Sequence, residues 1–346
     1  MRKKKLVIAD IARHLNISIT TVSFILNGKA REKRISDELT EKVLKYVKEV
    51  NYTPSLLAQS LRTGKTGLIG LIVENISNSF FANIAHLIEE KAYKKGFRII
   101  YCSSENDTEK AKELIKVFHE RQVDAYIITP TAGIEDDINV LLKENISVVL
   151  FDRYFPDLQT NSVIVDNAQS TYNAICHLIE QGFQRIAFIT LKSEQTQMIE
   201  RLKGYSRAIN ENNLKSYIKK IPFQDKEHDY IKQITDFLKK EKTIDAVFFA
   251  TNYLGISGLE AINNLNKKIP SDIGVISFDD HDLFRLYSPS ITAISQPIEE
   301  LSEQIINVLL KDIDSNKLNK VTKKIVLSAP LVIRKSSIKK LISNSA

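Results

Sequence analysis

The sequence is poor in the residues that build covalent or metal-centred chemistry. Its two cysteines, Cys102 and Cys176, stand apart in apolar surroundings, which gives neither a disulfide framework nor a metal cluster. Both are expected to be buried, inert thiols. The six histidines are scattered, and none pairs with another at metal-ligand spacing. His281, in Asp279-Asp280-His281-Asp282, looks metal-like in isolation, but a polar loop after a strand is the preferred reading. No Gly-x-Gly-x-x-Gly follows a strand and no Gly-x-x-x-x-Gly-Lys-Ser/Thr occurs, so no nucleotide cofactor is indicated and none of any kind is expected. A nucleophile elbow is missing as well, leaving nothing that points to an enzyme. No stretch approaches the roughly 18 consecutive apolar residues of a membrane span. The basic start Met1-Arg2-Lys3-Lys4-Lys5 leads into Leu6-Val7-Ile8-Ala9, which Asp10 and Arg13 break. That run is shorter than the roughly 7–15 apolar residues of an export signal, so a cytoplasmic chain without a membrane partner is expected.

What is present is a globular composition with an uneven charge. Of the 346 residues 43% are hydrophobic and 26% charged, which excludes wholesale disorder. Residues 1–66 carry 14 Lys/Arg against 6 Asp/Glu, whereas the rest of the chain carries 35 against 36. A compact basic module on a neutral body is the electrostatic footprint of a phosphate-backbone binder. A solvated basic tail would give the same count, so the pattern inside the segment has to decide.

Ile8, Ile11, Ala12 and Leu15 recur at helical spacing. Asn16-Ile17-Ser18 forms a short turn, with Ser18 a good N-cap for a second helix to about Asn27. That helix buries Val22, Ile25 and Leu26 and turns Ile19, Thr20 and Ser23 outward. Gly28 ends it by supplying a left-handed residue. A third helix starts near Ser36, presents Leu39, Val43, Tyr46, Val47 and Val50 on one face, and ends before Asn51-Tyr52-Thr53-Pro54. Two short helices joined tightly read as a helix-turn-helix, whose second helix enters the major groove of DNA. Any three-helix bundle shares this periodicity.

From Gly67 onward, short apolar runs alternate with helical patterns. Strands are expected over 68–73, 98–102, 125–129, 148–151, 163–165, 185–190, 246–250, 274–278 and 292–295, with helix-sized segments such as 81–95 and 168–181 between them. Such alternation means parallel sheets covered by helices, and this many strands suggest two sheets. Open parallel sheets bind ligands beyond the carboxyl ends of their strands. Asn75, Asp152-Arg153, Asn252 and Asp279 lie at or just past such ends. Asp, Asn and Arg donate and accept in a plane, as a hydroxyl-rich ligand requires. Taken singly, an Asp after a strand can equally be a helix cap.

The residues themselves resemble the LacI/GalR transcriptional regulators over nearly the whole chain. In the headpiece the resemblance rests on Ile8-Ala9-Asp10-Ile11-Ala12, Asn16-Ile17-Ser18, Thr21-Val22-Ser23, Leu26-Asn27-Gly28-Lys29, Asn51-Tyr52-Thr53-Pro54 and Ala58-Gln59-Ser60-Leu61-Arg62. In the body it rests on runs such as Ser77-Asn78-Ser79-Phe80-Phe81, Phe151-Asp152-Arg153, Val165-Asp166-Asn167, Arg201-Leu202-Lys203-Gly204-Tyr205 and Ser277-Phe278-Asp279-Asp280. It implies an all-α helix-turn-helix headpiece (1–50), a hinge helix or linker (51–66), and an α/β periplasmic-binding-protein-like body (67–346) of two doubly wound parallel-sheet subdomains. The first subdomain would hold about 67–166 and 297–325, the second about 167–296 and 326–346, with crossings near Asp166, Gln296 and Val326. DNA contacts would fall on Ser18, Ile19, Thr20, Thr21, Ser23, Phe24, Asn27, Lys29, Tyr52, Ala58, Gln59 and Leu61. Leu61 would be an apolar wedge that unstacks one base step and bends the duplex. Ligand contacts would fall on Asn78, Phe80, Asp152, Arg153, Asp166, Arg201, Asn252 and Asp279, with Phe80 stacking on a sugar face and Asp166 touching ligand or holding a crossing.

Departures from the family pattern withhold the ligand and the operator sequence. Phe24 stands where many members carry arginine, and it offers only apolar contact, for instance to a thymine methyl. Ala30-Arg31-Glu32-Lys33-Arg34 lengthens the link to the third helix and suits phosphate contact. Tyr253 replaces the usual Asp after Asn252, and Ser79 the usual proline before the Phe pair. The resulting expectation is a nucleoid-associated, non-enzymatic transcriptional regulator, a repressor foremost. It would bind double-stranded pseudo-palindromic operator DNA as a homodimer and respond to a small carbohydrate effector. The alternative is a sugar-binding protein of the solute-binding type without specific DNA readout. A dimer is expected because the tail after Arg334 lacks leucine heptads.

Overall fold

The computed structural model describes residues 6–52, 65–223, 227–314 and 322–339. The chain divides into two units, Met1–Gly67 and Leu68–Ala346.

The first unit is built on three helices, α1 (Ile8–His14), α2 (Ile19–Leu26) and α3 (Asp37–Glu49). Asn16, at φ 55°, makes the left-handed turn between α1 and α2. Ser18 then caps α2, its Oγ accepting from Thr21 N at 2.9 Å, and Ser36 caps α3 through Leu39 N at 3.3 Å. Ile11, Ala12, Val22, Ile25, Ala30 and Val43 are buried together, with Leu15, Leu39, Tyr46 and Tyr52 packed around them. The expected hinge segment lies almost wholly outside the described residues.

The second unit contains two six-stranded sheets. The first uses β1 (Leu68–Val73), β2 (Arg98–Ser103), β3 (Ala125–Ile128), β4 (Ser147–Phe151), β5 (Asn161–Val165) and β11 (Lys324–Leu327), in the order β11-β5-β4-β3-β1-β2 and parallel throughout. The second uses β6 (Ile186–Leu191), β7 (Tyr217–Ile221), β8 (Ala246–Phe249), β9 (Gly274–Phe278), β10 (Thr292–Ile294) and β12 (Leu331–Val332), in the order β12-β10-β9-β8-β6-β7. Only β12 runs antiparallel to its neighbour among these pairs.

Alternation along the strands builds two cores on each sheet. In the first sheet Ile69, Leu71, Ile127, Val149 and Phe151 face one way, onto α4 (Ser79–Lys94) and α12 (Ile298–Asp314). Ile72, Tyr126, Ile128, Val148 and Leu150 face the other, onto α5 (Thr108–Glu120) and α6 (Glu135–Lys143). The second sheet repeats the plan with α7 (Asn167–Glu180) and α8 (Thr196–Glu211) on one face, and α9 (Glu227–Lys240), α10 (Asn252–Asn264) and the short α11 (Asp282–Leu286) on the other. Burial on both faces explains why these strands read as unbroken apolar runs.

Three expectations change. The chain leaves the first sheet for the second after Leu327, at Ser328-Ala329-Pro330, because β11 pairs with β5 through Val326 and Leu327. Val326 therefore belongs to the first subdomain. Strand β7 was not expected, since Tyr-Ile-Lys-Lys-Ile at a sheet edge is interrupted by two adjacent lysines instead of forming an apolar run. Cys102 and Cys176 are only half-buried, Cys102 because β2 is the edge of its sheet.

Helices α7 and α8 cross closely at Gly204, where a Cβ would run into the Ala168 carbonyl oxygen and meet Thr171 Cβ and Tyr172 N at 3.0 Å. Backbone on the far side cannot yield as a flexible side chain would. Gly204→Ala is expected to destabilise the body by about 1–3 kcal/mol despite alanine's better helix propensity, seen as a lower melting temperature.

Candidate functional site

Two surfaces collect the functional candidates, one in each unit. On the first unit, the capped start of α2 leaves Ile19 50% exposed and Thr20 exposed, free of the core that holds Val22 and Ile25. Ser18 and Thr21 engage each other, with 2.8 Å between their hydroxyl oxygens. Ser23 and Phe24 are half-buried, Lys33 Nζ lies 5.5 Å from the centre of the Phe24 ring, and Lys29 is exposed. Asn27 caps the end of α2, its side-chain amide donating to the Ser23 carbonyl. Tyr52 packs half-buried against the three-helix core, so its ring has a structural task there. Ala58, Gln59 and Leu61 lie outside the described residues.

In the second unit each sheet reverses its strand order once, between β1 and β3 and between β6 and β8. Segments that leave a sheet at such a switch point diverge and open a crevice at the carboxyl ends. Glu74 and Asn78 follow β1, and Thr251, Asn252 and Tyr253 follow β8. Asp152 follows β4, Asp279 follows β9, and Arg201 and Gln197 come from α8. Glu74, Asn78, Phe80, Phe81, Asp152, Gln197, Met198, Arg201, Thr251, Tyr253 and Asp279 surround a cavity of about 30 Å³. The two subdomains meet around it. Asn78 Nδ2 donates to Asn252 Oδ1 at 3.1 Å, Gln195 Nε2 to Asn106 Oδ1 at 3.0 Å, and Tyr154 Oη to Glu200 Oε1 at 3.2 Å.

The charges here are buried and mutually constrained. Arg201, 2% exposed, donates from Nε to Asn167 Oδ1 at 2.8 Å and from Nη1 to the Ala250 carbonyl at 2.6 Å. Its guanidinium carbon stands 3.5 Å from the centre of the Phe278 ring, and Asp279 Oδ2 lies 3.7 Å from Nη1. Arg153, also 2% exposed, donates from Nη2 to Glu74 Oε2 at 2.7 Å. Asp152 and Asp279 sit at φ 67° and 64°, a left-handed conformation that costs a residue with a Cβ. Neither caps a helix. Burial pushes Asp152 up to about 6 against the pull of Arg153 and Arg201, and burial raises Asp279 against Arg201 and the Gln296 hydrogen bond. Tyr253 is held well above its ordinary value, by burial first and by nearby Glu74 next.

Seven of the eight expected ligand residues thus gather at this cleft or support its wall. Asn78, Phe80, Asp152, Arg201 and Asp279 line the cavity, Asn252 bonds to Asn78, and Arg153 lies against Glu74 and Asp152. Asp166 stands apart as the N-cap of α7 at the first crossing, its Oδ1 accepting from Gln169 N at 2.9 Å. Phe80 and Phe81 are both core residues and both line the cavity. Glu74 and Gln197 are lining residues that the sequence reading missed. Glu74 was findable as the first residue past β1; Gln197 carries no sequence signal, being one turn before Arg201 on α8. His281 caps α11, its Nδ1 accepting from Leu283 N at 3.0 Å. No group of three or more His, Cys, Asp or Glu among the described residues is arranged to hold a metal. No described helix is long and apolar enough to cross a membrane.

Asp152's raised value has a stability consequence. Above about pH 6 its carboxyl ionises in the folded chain at a cost absent from the unfolded chain, whose carboxyl titrates near 3.8. That cost, about 3 kcal/mol, fades as pH falls through 6 and is gone below 4. Asp152→Asn is therefore expected to melt above the unsubstituted protein at pH 8, the gap closing by pH 4 in a series of thermal melts.

Residues 7–55 match the family described as bacterial regulatory proteins, lacI family, and residues 175–337 match the periplasmic binding protein-like domain. A ribose operon repressor of Halalkalibacterium halodurans is 30% identical over 330 residues, covering 95% of this chain and 96% of that protein. The lac repressor dimer, solved bound to operator and the anti-inducer ONPF, superposes with a TM-score of 0.85 at 22% identity, covering 97% of this chain and 100% of that one. A periplasmic binding protein/LacI transcriptional regulator of Alkaliphilus metalliredigens, solved with D-xylulofuranose, gives a TM-score of 0.69 at 27% identity over 79% of this chain and 100% of that one. Given the near full-length match to a repressor, the capped helix-turn-helix and the two-sheet body, the chain belongs to the lacI family of bacterial regulatory proteins and is a DNA-binding transcriptional regulator.

Proposed function

We propose that the protein is a repressor that binds a pseudo-palindromic operator as a homodimer and releases or engages it according to a sugar or sugar derivative held in the cleft. The observation that carries the ligand half is the set of buried charged side chains that both sheets bring to one cavity: Asp152 from the first, Asp279 from the second, with Arg201 beside them. Buried ions are costly unless each is paired, and a fold without a polar ligand to bind gains nothing from them. Two related proteins point to the chemical class, one named for a ribose operon and the other solved with D-xylulofuranose. For the DNA half, support comes from the exposed Ile19 and Thr20 at the first turn of α2, where a recognition helix meets base edges. Lys29 and the Arg31, Lys33 and Arg34 segment supply exposed positive charge for phosphates. We assign no catalytic residue. An effector shifts operator affinity only by its differential affinity for two arrangements of the subdomains.

Three outcomes check this reading. Genomic fragments incubated with the protein at moderate salt and then sequenced should be enriched in one pseudo-palindrome; uniform retention that vanishes as salt rises would reject sequence-specific binding. Replacing Ile19 and Thr20 together by alanine should weaken that site about 10- to 100-fold in a mobility-shift titration, while Lys29→Ala should weaken all DNA alike and lower the salt slope by about one. Arg201→Met should cut sugar affinity by about 10- to 100-fold by calorimetry and leave operator binding unresponsive to added sugar.

A further inference from the structure

Helix α2 carries none of the side chains that grip a base by two atoms at once. Residues 19–26 contain no charge and no side-chain amide. Arginine or lysine on guanine, asparagine or glutamine on adenine, and a carboxylate on cytosine are therefore all unavailable from this helix. Its hydroxyls make single hydrogen bonds that fit several base edges, and that of Thr21 already engages Ser18 at 2.8 Å. Asn27, which caps the end of α2, turns its amide back onto the carbonyl and hydroxyl of Ser23.

What α2 presents instead is largely apolar. Ile19 is 50% exposed, Thr20 is exposed and brings a methyl, and Phe24 is half-buried. At helical spacing Ile19, Thr20, Ser23 and Phe24 share one face, turned away from Val22 and Ile25 in the core. Among the described residues, Phe24 stands outside the cluster that forms that core. Its ring is approached by Lys33 of the following link, whose Nζ lies 5.5 Å from the ring centre, an attraction that holds the link beside the helix. Thymine is the base that shows an apolar group on its major-groove edge, the C5 methyl, whereas the other three are told apart there by hydrogen-bonding atoms.

We propose that α2 reads its base pairs through the thymine C5 methyl, with Ile19 and Phe24 as the specificity-determining residues, so that each half of the operator carries T·A pairs where they touch. This rests on α2 being the element that enters the major groove. A G·C pair at such a position buries polar atoms against Ile19 or Phe24 with nothing to pair them, and that is the source of the rejection. The methyl contacts involve no charge, so this discrimination persists as salt rises, while the phosphate contacts of Lys29 and the link weaken.

The full-length protein selects its operator from a randomised duplex pool, and each thymine of the selected half-site is then replaced singly by deoxyuridine. Deoxyuridine lacks the methyl and keeps the hydrogen-bonding edge. The expected result is two or more thymines in each half-site at which the replacement weakens binding about three- to fivefold in mobility-shift titrations, the loss that one buried methyl represents. Phe24→Ala should abolish that sensitivity at one thymine and keep it at the others; a variant damaged only in folding would weaken every duplex alike. Phe24→Leu, which stays apolar, should keep the sensitivity. Phe24→Arg should move the selected base at that position to guanine. A pair of dG with 5-methyl-dC placed there should recover part of the binding that a plain G·C pair loses. A discrete operator with no thymine sensitive to deoxyuridine overturns the proposal and leaves the regulatory reading standing, as does a Phe24-dependent position that is G·C in the selected site. Uniform retention of the whole pool overturns both.

Discussion

The body depends on keeping four or five ionised groups dry at the meeting point of two sheets. Arg201 anchors the arrangement. It crosses from α8 to Asn167 at the start of α7, to the Ala250 carbonyl at the end of β8, and toward Asp279 at the end of β9, with its flat face on Phe278. One side chain thus ties two helices and two strand ends of the second subdomain into a single wall. Truncating Arg201 would leave the Asn167 side chain and the Ala250 carbonyl without their donor and Asp279 without its nearby cation, a loss that exceeds the net worth of any one of these contacts. The same constraint explains the left-handed Asp152 and Asp279. A residue directly past a parallel strand can aim its carboxyl into the crevice if its backbone turns sharply, and both accept that local strain.

The polar wall is connected to the crossings. Gln296, on the second crossing, donates to Asp279 Oδ1 at 2.6 Å, and Asp166, on the first, caps α7, whose first residue Asn167 holds Arg201. Whatever displaces Asp279 or Arg201 therefore acts within one hydrogen bond on a crossing strand. The third crossing, Ser328 to Pro330, is joined to the second subdomain by Ser170 Oγ donating to the Ala329 carbonyl at 2.9 Å. These are short, directional links between a cleft and its hinges, which is the coupling a ligand-controlled regulator needs.

Legibility in the sequence followed the kind of force involved. The doubly buried strands were readable because two-sided burial leaves unbroken apolar runs such as Leu68–Val73. Ser18 and Gly28 were readable because capping and left-handed termination are local chemistry. Edge elements were not: β7 carries two adjacent lysines in five residues, and β12 is two residues long. At the site, Asp152 and Asp279 were legible as polar residues past strands, yet their left-handed backbone and the buried arginines beside them leave no mark in the neighbouring sequence. Asp166 looked the same in sequence and is a helix cap. Gln197 was invisible, since its role depends on which face of α8 turns inward, a tertiary fact that no neighbour in sequence records.

The contacts across the cleft set the scale on which a ligand acts. Asn78–Asn252, Gln195–Asn106, Tyr154–Glu200 and Gln197–Asp152 join the two subdomains directly. Each such bond contributes a net of about 0.5–1.5 kcal/mol, so together they favour closure by a few kcal/mol. Against them stand the approach of Asp279, from the second subdomain, to the carboxyls of Glu74 and Asp152 on the first, and the buried Gln197 Oε1 that makes no hydrogen bond. The opposing terms are of similar size. An equilibrium balanced in this way responds to differential interactions of about 1–3 kcal/mol, the range in which effectors and their binding partners are coupled. A ligand that donates to Gln197 Oε1 supplies a difference of that order, because that oxygen lines the cavity and is buried without a partner.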